Sequence, residues 1–151
     1  MMEGNISDSD SQMPNDSNSA ISMIVGTTSL VLVLPAVIIA LMELMDQIEY
    51  GDFKWIIYSM VFSLTIISIL LISGLYLAGL INSDNTKMGA GIYLISLSAL
   101  NLLIRLSYLN EERGMWFGGG SWFEFIQNTW VNEQLELAFL GILIGALMMK
   151  K

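Results

Sequence analysis

The sequence predicts an all-α integral membrane protein: a four-helix transmembrane bundle with a disordered acidic N-terminal tail and an interfacial aromatic loop between helices 3 and 4. Three observations lead there. Hydrophobic residues make up 54% of the chain and charged residues only 13%, about half the charged share of an ordinary soluble domain. The apolar residues fall in uncharged runs, and several are long enough to cross a hydrocarbon core about 30 Å thick. Short polar segments separate the runs, of a length suited to joining antiparallel neighbours.

Residues 1–19 are rich in Ser, Asn, Asp and Gln, with Glu3, Asp8, Asp10 and Asp16 and no basic residue. Such a stretch buries too little apolar surface to offset the entropy of ordering it, so a disordered tail is expected. It lacks the positive start of a secretory signal, and the apolar run behind it reads as a retained anchor. The glycosylation sequons at Asn5 and Asn15 are read as chance matches in a segment of this composition.

The membrane domain, residues 20–151, holds the helices. The first is expected over about 20–45, uncharged until Glu43, with Pro35 producing a local kink rather than a break because neighbouring groups in lipid satisfy the freed carbonyl. Asp46 to Lys54 forms a polar turn. The second helix, about 55–81, has no charge over its length, and Asn82 to Lys87 leads to the third, about 88–109, apolar except for Asn101 and Arg105. The fourth is expected over about 130–149. Its uncharged part alone, Leu137 to Met149, is short for a crossing, but Lys150 and Lys151 can anchor its end at a head-group layer. Between helices 3 and 4, Met115 to Phe125 mixes aromatic residues with glycine and is expected to lie in the interface.

Helical spacing sorts the small and polar side chains into stripes. The first helix aligns Gly26, Ser29, Ala36, Ala40 and Glu43; the third aligns Gly91, Ser98, Asn101 and Arg105; the fourth aligns Gln134, Ala138, Gly141 and Gly145. Faces of this kind let helices approach closely in lipid, so Gly91, Ser98, Asn101, Gly141 and Gly145 are expected to pack helices inside the bundle. With four antiparallel crossings, Glu43, Arg105 and Glu136 come within a turn or two of the same membrane face. One expectation is a shared polar layer in which Arg105 pairs with one or both carboxylates. The plainer alternative has Arg105 snorkelling to the interface while the carboxylates end their helices in water.

Composition excludes much chemistry. Without Cys there are no disulfides, thiolate metal sites or thiol redox centres, and without His the commonest general base is missing. Glu111, Glu112, Glu124 and Glu133 near Arg113 show no catalytic or metal-binding spacing, and Gly118 to Gly120 lacks the Lys of a phosphate loop. No enzyme activity and no cofactor are therefore expected. A net charge of −8 argues against nucleic acid as a partner.

The sequence thus predicts a small non-enzymatic multi-pass protein, a structural or accessory subunit of a larger membrane assembly, whose partners are the lipid bilayer and other membrane subunits or a second copy. The alternative is a small ion or solute transporter or channel built on the Glu43, Arg105 and Glu136 layer. The expected location is the cell membrane with both termini on one side. The lysine pair at the end of the chain tips that side slightly toward the cytoplasm.

Overall fold

The computed structural model describes residues 16–116 and 129–150, and every described element is helical. In chain order these are α1 (Asp16–Tyr50), α2 (Phe53–Leu77), α3 (Asp84–Trp116) and α4 (Thr129–Met149). Three contain stretches long and apolar enough to cross a membrane: Ser19–Glu49, Phe53–Leu77 and Asp84–Ser107. In α4 the apolar stretch is the shorter Leu135–Met149. The tail through Asn15 and the loop core from Phe117 to Asn128 lie outside the described residues, so the expectations of a disordered tail and an interfacial loop fall mostly there.

The helices run past several of the expected boundaries, and local chemistry explains where they stop. Asp16 to Ser19, assigned from composition to the tail, form the first turn of α1. The helix then continues without interruption through Pro35 to Tyr50. Most of the polar segment 46–54 is consequently helical, and only Gly51 and Asp52 connect α1 to α2. Gly51 N–H still donates to the Gln47 carbonyl at 2.8 Å, while Asp52 is extended (φ −78°, ψ 150°) and its carbonyl accepts from Trp55 N–H at 2.9 Å.

At its other end α2 stops four residues short of the expected Ile81. Gly79 adopts φ +73°, its N–H donates to Tyr76, and Leu80 N–H donates back to Leu75. This is the paired hydrogen-bond pattern that closes a helix on a left-handed residue, a conformation glycine enters without the Cβ penalty. Ser83 then starts α3 four residues earlier than hydropathy suggests. Its hydroxyl accepts from Thr86 N–H, its carbonyl accepts from Lys87 N–H, and Asp84 in the first turn forms an ion pair with Lys87 at 3.7 Å.

Two hairpins result. α1 packs along α2, α4 packs along α3, and α2 joins the pairs chiefly through α3. Buried Ile69, Ile81, Leu94 and Met148 form the apolar core, flanked by Ile72, Leu75, Ala90, Leu137 and Ile144. No α1 residue belongs to that cluster. α1 instead lays a four/three stripe, Ser22, Gly26, Ser29, Val33, Ala36 and Ala40, toward α2, with Leu30, Val37 and Leu44 half-buried beside it, and exposes most of its other apolar side chains.

Candidate functional site

Small residues determine where the helices touch. In the first hairpin the backbones meet at Gly26 and Gly74: a Cβ on Gly26 would lie 2.5 Å from Ala78 N, and one on Gly74 would lie 3.1 Å from the Gly26 carbonyl oxygen. Ser22 reinforces this end by donating its hydroxyl proton to the Leu77 carbonyl, 2.9 Å away, which has no partner within α2's own helical pattern. In the second hairpin a Cβ on Gly91 would lie 2.6 Å from the Gly145 oxygen, and one on Gly145 would lie 2.6 Å from the Gly91 oxygen. One turn or two further along, Ser98 packs directly on Gly141. Only glycine leaves room for backbones this close.

Along the second seam runs a buried polar stripe. Ser98 and Asn101 are almost fully enclosed, and Arg105 is 1% exposed, the largest fully buried side chain among the described residues. Heptad-like spacing puts Gly91, Leu94, Ser98, Asn101 and Arg105 on one face of α3. The opposing face of α4 presents buried Ala138, Gly141, Gly145 and Met148. Among the described residues the Ser98 Oγ and Asn101 Nδ2 atoms make no hydrogen bond.

From α2 come the other polar members. The Tyr58 ring lies beneath the Arg105 guanidinium, 5.6 Å from centroid to Cζ, as a cation–π contact. Tyr58 also meets Trp55 edge-on and stacks on Phe62 at 6.1 Å. Thr65, fully buried, turns its hydroxyl back to the Val61 carbonyl at 2.7 Å, and Ser68 shares a 3.2 Å hydrogen bond with Tyr93 of α3. Tyr58, Thr65 and Ser68 were absent from the sequence-derived site. Their spacing on α2, in an otherwise apolar helix, is the signal that would have found them.

The structure does not gather the three expected members of the polar layer. Arg105 points into the bundle, whereas Glu43 and Glu136 are exposed, and neither carboxylate forms an ion pair among the described residues. The reason is topological: α1 packs chiefly on α2, and Glu43 lies in a crevice lined by α1 and α2 residues. Glu43 lines a crevice of about 160 Å³ between α1 and α2, with Ile39, Ala40, Phe62, Ser63 and Ile66. Phe62, which also lines this crevice, stacks on Tyr58, the ring under the Arg105 guanidinium. On the opposite flank of the same seam a wider crevice of about 280 Å³ is lined by Val37, Leu41, Leu44, Met60 and Leu64, and it shares Ala40 and Ser63 with the first.

Among the described residues no three carboxylates gather as a metal ion would require. The side chains of Glu111, Glu112, Arg113, Glu124 and Glu133 lie outside the described set. No protein-family model, curated protein or solved structure matches the chain.

Proposed function

We propose that the chain crosses the membrane four times and acts as a non-enzymatic structural or accessory subunit, contributing helix surface to a larger membrane assembly. The observation that carries this reading is the direct contact of Ser98 with Gly141 midway along the α3–α4 seam. A conduction path needs polar groups that line open space. Here Ser98, a polar group near the middle of the α3 span, is packed against the backbone of the neighbouring helix, so the α3 stripe serves helix association. Meanwhile α1 rests chiefly on α2 and presents Val31, Leu34, Ile38, Leu41 and Met45 outward, an apolar helix surface available to a neighbouring subunit.

A fourth crossing is supported by the length of α4 and its partner. Its 21 residues reach about 31 Å at 1.5 Å per residue, and it pairs with α3 from Gly141 to Met149 as one continuous helix, which a re-entrant segment would not do. Four crossings put both termini on one side, with the cytoplasm slightly favoured by Lys150 and Lys151.

The test is purification of the full chain from its native membrane in mild detergent after cross-linking through a photoreactive residue at position 38. Specific membrane partners cross-linked there support the subunit reading. Ion flux from the pure protein in liposomes, lowered by Arg105→Lys, would replace it with the transport alternative.

A further inference from the structure

We propose that the smaller crevice between α1 and α2 binds a hydrophobic ammonium cation, with an alkyl chain or ring in the groove and the positive group at Glu43. The groove is apolar from Ala36 through Ile39 and Ala40 on α1 and along Phe62 and Ile66 on α2, and it carries a single carboxylate, at one end. A ligand matching that layout has an apolar body and one cationic tip. Phe62 adds an aromatic ring to the lining, and aromatic rings attract quaternary ammonium groups.

The surrounding charge points the same way. At this end of the hairpin the four carboxylates Glu43, Asp46, Glu49 and Asp52 stand against one base, Lys54, so the local field attracts cations and repels anions. The wider crevice on the other flank has no carboxylate in its lining, which gives the cation a reason to choose the Glu43 side.

Spacing separates this ligand from a phospholipid. Glu43 follows Ile39 by one helical turn, about 6 Å of rise, so the positive charge must sit almost directly on the apolar body. In an ethanolamine or choline lipid, glycerol and phosphate intervene, and the phosphate would meet Glu43 as a like charge. Size limits the ligand as well. At about 160 Å³ the crevice is near half of the ~300 Å³ at which drug-sized pockets begin, and it suits a short alkyl segment or one ring.

The experiment measures binding of radiolabelled benzyltrimethylammonium, one ring bearing one cationic group, to the full chain in phosphatidylcholine nanodiscs. Saturable binding is expected, competed by unlabelled benzyltrimethylammonium and not by benzylsulfonate or benzyl alcohol. Glu43→Gln, nearly isosteric at an exposed position, should weaken binding about tenfold or more, the loss of one charge-assisted contact. Asp46→Asn, which removes the same charge from the same helix outside the crevice, should change it less than about twofold. Filling the groove from its exposed wall with Ile39→Trp should abolish binding while leaving the elution profile and helicity unchanged. Equal binding by Glu43→Gln would overturn the proposal, as would an equal loss in Asp46→Asn, which would mean attraction by surface charge alone. Displacement by phosphatidylethanolamine nanodiscs would overturn the choice of ligand and assign the groove to lipid.

Discussion

The two hairpins bring their helices together by the same means at one end and diverge toward the other. At the Gly79 end, Gly26 meets Gly74 and Gly91 meets Gly145, backbone against backbone. Toward the Gly51 end, α3 and α4 stay closed through Ser98 on Gly141 and a face that buries Asn101 and Arg105. α1 and α2 instead meet through Ala40 and Ser63, with a crevice on each flank. One pair together with α2 builds the core, and the other pair leaves α1 as a peripheral helix. Buried polar side chains follow that division, with Ser98, Asn101 and Arg105 on α3 and Thr65 and Ser68 on α2, because a polar side chain inside a bilayer has to be packed among other helices.

Arg105 should show the largest effect. Arg105→Ala empties the largest fully buried side chain and removes the contact with Tyr58, and it is expected to destabilise the fold by about 2–5 kcal/mol. Arg105→Lys should recover only part of this, since an ammonium lacks the planar face that lies on the ring. Adding Glu43→Gln to Arg105→Ala should give additive losses in detergent melts, because Glu43 is held on α2 and not against Arg105. Clear rescue in the double variant would restore the shared layer read from the sequence.

Glycine substitutions probe the seam itself. Gly145→Val pushes a side chain into the Gly91 carbonyl and should cost about 1–3 kcal/mol, the range for overpacking. Gly89→Ala lies two residues from Gly91 on α3 and meets nothing within 4 Å, so it should be neutral or slightly stabilising through helix propensity. A melting series in one detergent separates the two. If both were equally harmful, the close approach at Gly91 would not be the cause.

Much of this could be read from spacing and hydropathy. The three long apolar runs, the stripe Gly91, Ser98, Asn101 and Arg105, and the small face of α4 all follow from residue order, and the structure buries every member of the α3 stripe. What spacing could not supply was which helix stands beside which. Glu43 extends the α1 stripe, yet α1 packs chiefly along α2, and the Arg105 guanidinium lies over Tyr58. Helix ends were misjudged for a related reason. Hydropathy reports where lipid begins, whereas Gly79 and the Ser83 cap determine where hydrogen bonding stops.

Smaller effects sharpen the contrast between the pairs. Ala40→Leu enlarges a residue between two crevices and is expected to shift stability by less than about 1 kcal/mol, whereas Ala138→Leu, 1% exposed between α3 and α4, should cost about 1–3 kcal/mol. Gly79→Ala should cost about 1 kcal/mol from backbone conformation alone, since no atom lies within 4 Å of the new Cβ. Equal losses at positions 40 and 138 would mean that the first pair is as closed as the second.

Cysteine accessibility tests most directly whether the α3 stripe is sealed packing while the Glu43 crevice is open, because the chain has no Cys to interfere. Single Ser98→Cys and Glu43→Cys variants in lipid nanodiscs would be treated with a charged, water-soluble thiosulfonate, and modification followed by mass. Cys at position 43 is expected to react readily and Cys at position 98 to stay unmodified until the protein is unfolded. Reaction at position 98 at a rate comparable to position 43 would reveal a water path to the middle of the stripe and contradict the reading of this chain as a packed structural subunit.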